Sequence, residues 1–403
     1  VSLQKILREY TNMNGKKIVT FGELLLRFSK PGQLRLTQGD LFTSKYGGSE
    51  ANVAVSLATQ GENVTYITRL PDTPVGHAGA MNLAQLGVNT TRVLYGGQRI
   101  GTYYFEPAAG MRAAKVIYDR SGSAYYDLKP GMIPWRETLK DCDYFHVSGI
   151  TAAISPQAAE ATFEALDIAD ELGVTVCFDI NYRKNLWNYE GAQPRETLSS
   201  MLSRCDMMFG DAIEFDWLSQ HPQPPFTATD SNFKMQMDEY GEWFDELHAN
   251  YPRLKHWMMG MRNIVSSNHH TLTALLWTEG KLLQAPIIDI PDVIDPVGVG
   301  DAFMGGWLHA ISLFPDDKQK QLNYSLAAAA LKNTIPGDFN LSTEDEILET
   351  AAKIHAMSNV ELFGMGTNLT CYGAIIPKYD NLSVLCAIAE KVQQKLGITL
   401  QMV

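Results

Sequence analysis

Asp301 follows a turn of small residues, Asp295-Pro296-Val297-Gly298-Val299-Gly300, and opens the apolar helical run Ala302-Phe303-Met304-Gly305-Gly306. Glycines ahead of a helix let backbone N–H groups point into open space. There they and the helix dipole stabilise the negative charge that builds on a transferring phosphoryl group. A carboxylate in the first turn beside such an anion hole is placed to take the proton of an attacking hydroxyl. The same residues also suit a plain helix cap after a glycine turn, so the chemistry needs a second element that brings an acceptor.

That second element is Gly47-Gly48-Ser49-Glu50-Ala51-Asn52-Val53-Ala54, a glycine pair feeding an apolar helical face that closes at Gly61. In order and spacing, about 250 residues apart, the two segments resemble the paired signatures of the ribokinase-like (pfkB) sugar kinases, G-G-x-x-x-N-x-A and D-x-x-G-x-G-D-x-F-x-G-G. The resemblance implies ATP and Mg²⁺ as cofactors and phosphoryl transfer to an alcohol group. It also implies Asp301 as catalytic base, Gly298, Val299 and Gly300 as anion hole, and Gly47, Gly48 and Asn52 as walls of a sugar pocket. Val297 and Val299 stand where many relatives have Thr and Ala, and neither exchange removes a backbone donor.

Further stretches, FGELLLRFS, YGGSEANVAVSLA, IGTYYFE, VIYDRSGSA, FDINYRKNLW and ALKNTIPGDF, resemble the members of that family that phosphorylate 2-keto-3-deoxygluconate. This implies substrate contacts from Tyr103, Tyr118, Arg120 and Arg183; Lys184 reads as a solvated neighbour ahead of a second charge for the same anion. An arginine fork matches a carboxylate in a bidentate manner, which suits a sugar acid over a neutral sugar. The family's N-x-x-E metal element falls at Asp211-Ala212-Ile213-Glu214, with aspartate replacing asparagine. Its nucleotide pattern, on a strand end, falls at Gly260 and Arg262, and Asn333 falls near the adenine. Asp295 either supports a bound monovalent cation or fixes its own loop. A kinase for a neutral ketose or nucleoside, and a catalytically silent sugar or nucleotide sensor, remain alternatives on the same fold.

The rest of the chain supplies the scaffold. Strand-like KKIVTFGELLLRFS, NVTYITRL, DYFHVSG and VTVCFDIN alternate with helix-like HAGAMNLAQLG and SPQAAEATFEALDIADELG, a rhythm that predicts a doubly wound, mostly parallel α/β sheet with helices on both faces. Residues 99–126 are rich in aromatic and β-branched types with turn signals, which predicts a small β-structured lid. Residues 220–250 read as a surface insertion with a helix near DEYGEWFDELHAN. The expected organisation is an N-terminal extension over 1–15, a kinase domain over 16–352 and an appendage over 353–403.

A net charge of −12 disfavours nucleic-acid partners, and no stretch approaches the length of a membrane span. The five scattered cysteines form no C-x-x-C pair, which argues against disulfides and structural zinc and for a cytoplasmic protein. No H-E-x-x-H, G-x-S-x-G or G-x-G-x-x-G is present to support a zinc protease, a serine hydrolase or a dinucleotide enzyme. A small-molecule sugar acid is the expected partner, together with a second copy of the chain in a homo-oligomer. The tail, NVELFGMGTNLTCYGAIIPKYDNLSVLCAIAEKVQQKLGITLQMV, resembles an internal piece of the pyridoxal-phosphate racemases of the alanine or ornithine kind. It is too short for their barrel, and it reads as an inactive appendage with an amphipathic helix over 381–397.

Overall fold

A computed structural model describes residues 16–229, 232–358, 360–363 and 374–377. The expectations for residues 1–15 and for the helix over 381–397 lie outside the described residues. Contacts divide the chain into two compact units, Val1–Ala351 and Ala352–Val403.

In the first unit a nine-stranded sheet is built from β1 (Lys17–Phe21), β4 (Asn63–Ile67), β7 (Tyr144–Ser148), β8 (Thr175–Asp179), β9 (Met207–Asp211), β10 (His256–Ser266), β11 (His269–Thr278), β12 (Lys281–Gln284) and β13 (Ile288–Ile290). The order β10-β9-β8-β7-β1-β4 is parallel throughout, and β11 adds antiparallel to β10 and carries β12 and β13. The alternation of side chains along each strand serves both faces. Phe178, Trp257 and Met259 point into one apolar layer with Ala158, Ala165 and Leu166 of α3 (Pro156–Leu172). Cys177 and Met258 point into the other. That second layer is covered by α1 (Ser49–Thr59), α6 (Val299–Leu313) and α7 (Lys318–Lys332), the helices that carry the chemistry-bearing segments.

Ordinary caps fix the helix limits. Ser155 accepts from the Ala158 N–H at the start of α3, and Gly173 ends it in the left-handed region. Thr73 and Pro74 start α2 (Pro74–Gln85) earlier than the apolar run alone predicts.

Two strand expectations change. The segment from Lys17 to Ser29 is two strands, because the chain turns at Gly22-Glu23 and leaves the main sheet. Its second half, β2 (Leu25–Ser29), joins β3 (Thr43–Gly47), β5 (Gly101–Glu106) and β6 (Lys115–Asp119) in a separate four-stranded sheet of order β3-β2-β5-β6. The small β-structured unit expected over 99–126 therefore draws on more of the chain. Likewise β10 continues through Gly260 and Arg262 to Ser266, because the long antiparallel pairing with β11 carries it on. Those residues lie within a strand and not at its end.

The insertion carries α5 (Met237–Asn250), which buries Tyr240, Trp243, Phe244 and Leu247. In the second unit Val360–Phe363 and Ala374–Pro377 pair as an antiparallel hairpin. Among the described residues no helix is long and apolar enough to cross a membrane.

Candidate active site

Parallel pairing puts the C-terminal ends of the strands along one edge of the sheet, where open α/β folds bind their ligands. Register aligns Asp179 with Ser148 and Phe209, and Asp211 with Gly260. The two glycine-led helices, α1 and α6, start at this edge and meet there.

Asp301 is buried at their junction. Its Oδ1 accepts from the Ser49 hydroxyl at 2.7 Å and its Oδ2 from the Asn52 amide at 2.7 Å. The Asn52 Oδ1 in turn accepts from the Gly48 N–H at 3.2 Å. The Asn181 amide donates to the Ser49 hydroxyl at 3.0 Å and to Asp179 at 2.9 Å, so one network joins three elements. Asn181 has a positive φ of 41°, a region asparagine enters more readily than most non-glycine residues. Burial raises the Asp301 carboxyl to about 6 against the opposing Asn52 and Ser49 hydrogen bonds, a value suited to a base that is ionised at neutral pH.

Gly298 caps α6 at φ 84°, and the backbone N–H groups of Val299, Gly300 and Asp301 belong to the first helical turn, which has no intrahelical acceptor for them. A Cβ on Gly298 would lie 2.1 Å from the Asp338 carbonyl oxygen. Gly47 meets the same residue, since a Cβ there would lie 2.1 Å from Asp338 Oδ2. Asp338 thus seats both glycine turns. Gly298→Ala should lose activity and lower the melting temperature together, through the wrong φ and the backbone collision; steady-state kinetics with a thermal melt checks this.

The arginines have different settings. Arg120 is buried, with Nη1 3.3 Å from Glu23 and its guanidinium 4.6 Å from the centroid of the Tyr118 ring. Its Nε has no partner in the structure, and such a buried donor calls for an acceptor. Arg183 donates to the Tyr182 carbonyl and lies 3.9 Å from Glu214, with 45% of its side chain exposed. It is near enough to Asp301 to favour the ionised carboxylate. Tyr103 packs 5.7 Å from Tyr118, centroid to centroid, and donates to Asp338 at 2.5 Å.

Asp211 and Glu214 form a capping box at the start of α4 (Ala212–Ser219). Glu214 accepts from the Tyr182 N–H at 2.7 Å and the Asp211 N–H at 3.1 Å. Burial and then the Asp211 charge raise its carboxyl to about 7. Burial and the Glu214 and Asp301 charges raise Asp179 too. A cation brought to this acidic edge would relieve that repulsion. Among the described residues, however, no three acidic, His or Cys side chains converge to hold a metal unaided.

Gly260 packs against Phe209, which stacks on Phe303 at 5.0 Å. Arg262 is exposed two residues further on. The Asn333 side chain is fully buried and donates to Ala329 O, while its carbonyl accepts from the Ile294 and Asp295 N–H groups. Through these bonds it braces the loop that leads to the anion hole.

Sequence reasoning missed Ser49, Asp179 and Asn181, and also Arg27, Asp338 and Lys332, which cluster in the interior with the Asp295 it had singled out. It missed Glu50 as well, which accepts from Ser148 and Thr151 and ties α1 to β7. The available signal was a set of charged residues inside otherwise apolar strand and helix ends.

A sequence profile described as pfkB family carbohydrate kinase matches residues 15–340. The 2-dehydro-3-deoxygalactonokinase of Haloferax volcanii is 29% identical over 82% of this chain and 95% of its own length. A 5-dehydro-2-deoxygluconokinase of Lacticaseibacillus casei is 27% identical over 72% of this chain and 81% of its own. Among solved structures, the 2-dehydro-3-deoxygluconokinase of Thermotoga maritima matches with a TM-score of 0.76 at 33% identity, covering 84% of this chain and 99% of that one.

Proposed function

The chain belongs to the pfkB family of carbohydrate kinases, and we propose that it transfers the γ-phosphoryl group of ATP to the terminal hydroxyl of 2-keto-3-deoxygluconate, giving 2-keto-3-deoxy-6-phosphogluconate and ADP. The observation that carries this reading is the meeting of Asp301 with Ser49 and Asn52 at the mouth of a glycine-capped helix. A base and an anion hole then share one short stretch of backbone.

In this reading residues 16–352 form the catalytic domain. Asp301 takes the hydroxyl proton as the new O–P bond forms and the bond to the ADP oxygen breaks, and the first-turn N–H groups of α6 stabilise the charge on the transferring group. Gly260 and Arg262 lie beside the nucleotide phosphates. Magnesium supplies charge neutralisation on the phosphate oxygens, and Glu214 and Asp211 would hold it through water. Lid strands β2, β3, β5 and β6 cover the sugar and exclude water.

Arg120 and Arg183 receive the substrate carboxylate, supported by the unpartnered Arg120 Nε and the half-exposed Arg183 fork. The three relatives named above carry names of keto-deoxy sugar acid kinases, which fits the same chemistry. ATP consumption with 2-keto-3-deoxygluconate, its galacto epimer, 5-keto-2-deoxygluconate, fructose and ribose tests the substrate. Turnover of the neutral sugars at the rate of the acids would sink the carboxylate assignment. Arg120→Gln and Arg183→Gln should each lower kcat/KM for the acid by about 10- to 100-fold, the worth of a charge-assisted hydrogen bond; substrate titrations of each variant check this.

A further inference from the structure

Lys332 closes α7, and its side chain is fully buried. The two acids near it, Asp295 and Asp338, are both paired to Arg27, each at 2.8 Å. The Lys332 ammonium instead donates to two backbone carbonyls, Asp295 O at 3.2 Å and Ile335 O at 3.0 Å. These carbonyls come from two different loops. One leads into the anion-hole turn and the other into the Gly337-Asp338 segment that seats Gly298. The lysine stem packs there as well, with Cε 3.4 Å from where a Gly298 Cβ would stand.

A single positive charge liganded by converging carbonyl oxygens is, chemically, a monovalent cation site with its cation covalently attached. The Asp295 side chain leaves little for a second one, since it accepts from the Val297 N–H at 3.1 Å and the Gly337 N–H at 2.9 Å besides its Arg27 pair. Of the two readings left open for Asp295, fixing its own loop fits these bonds and supporting a bound monovalent ion does not. Burial lowers the Lys332 ammonium to about 8, so it remains charged at neutral pH.

We propose that Lys332 is a positioning residue whose ammonium acts as a resident monovalent cation, pinning the loop that presents the Gly298–Gly300 anion hole, so that catalysis needs no added alkali cation. The catalytic half of this statement rests on the kinase reading above, and the cation half does not.

The test uses the full-length protein in K⁺, Na⁺, NH₄⁺ or tetramethylammonium chloride at constant ionic strength with Mg-ATP and 2-keto-3-deoxygluconate. Wild-type turnover should be the same in all four salts. Lys332→Met, which fills the space without charge, should lose about 10- to 100-fold in kcat with little change in sugar KM, as expected when a transition-state contact is misplaced, and no salt should restore it. Lys332→Ala should lose as much and be restored several-fold by K⁺ or NH₄⁺ but not by tetramethylammonium. Strong activation of the wild type by K⁺, or an unchanged kcat in folded Lys332→Met, would overturn the proposal.

Melting temperatures provide a readout that does not depend on turnover. That of Lys332→Ala should rise with K⁺ or NH₄⁺ relative to tetramethylammonium, and that of the wild type should not. Equal shifts in both would also overturn it. If the wild type turned over no sugar acid, the functional reading would fall while the melts still decided the cation.

Discussion

Asp301→Asn should lower kcat by about 10²–10⁴-fold, the usual worth of a general base, in a protein that still folds and still binds the sugar. Amide for carboxylate keeps the size of the side chain and removes a buried charge, so the melting temperature should hold at neutral pH. The pH profile provides the second signature. With the carboxyl raised from 3.8 to about 6, the ionised base is lost below that pH, and kcat/KM should fall about tenfold per unit on the acid side.

The stability linkage has the opposite sign. A carboxyl whose folded-state pKa lies above its unfolded value binds its proton more tightly when folded, so its ionised form costs stability above about pH 6, and that cost disappears on acidification towards 4. Activity should therefore vanish while circular dichroism shows an intact fold. Ser49→Ala removes a hydrogen bond that lowers this pKa and should move the acid limb upward. Glu214, at about 7, titrates close by, so the profile is read against Glu214→Gln, in which the Asp301 limb remains. An Asp301→Asn enzyme with wild-type kcat would end the base assignment.

The scaffold was legible because its signals are local. Alternation of β-branched runs with 3.6-residue apolar faces predicts the parallel strands and the covering helices, and caps such as Ser155 and Gly173 mark their limits. The junction of α1 with α6 was legible only through paired glycine motifs about 250 residues apart, since no local pattern says that Asn52 reaches Asp301. The interruption at Gly22-Glu23 was visible, but not that the chain changes sheets there. Leu24-Leu25-Leu26-Arg27-Phe28 has the apolar density of a core strand, whereas it belongs to the small four-stranded sheet and turns Leu25 and Arg27 inward.

Its other face sets Phe28 against Phe42 and Tyr104. No local pattern shows that the Asn333 amide and carbonyl at a helix end satisfy neighbouring backbone. Buried charges are the feature sequence shows least, because their partners are set by tertiary contacts alone.

Arg27 is the clearest of these, and its replacement carries the largest expected effect on stability. Its guanidinium pairs with Asp295 and Asp338, its side chain is 4% exposed, and its plane lies over the Phe105 ring at 4.2 Å. Removing one partner of a buried ion pair leaves the other charge uncompensated, at about 3–5 kcal/mol. Arg27→Met should therefore cost at least that much at pH 8, measured by denaturant unfolding, and should disorder the seat of both glycine turns.

The sign with pH follows from Asp338, which burial already raises above 3.8 while Arg27 holds it down. Without Arg27 the carboxyl rises further, and once it takes up a proton on acidification it needs no cation. The deficit of the variant should accordingly shrink as pH falls from 8 to 5, and Arg27→Met with Asp338→Asn should recover part of it at pH 8. A deficit that is equal at both pH values would mean that lost packing against Phe105, and not an orphaned carboxylate, accounts for the instability.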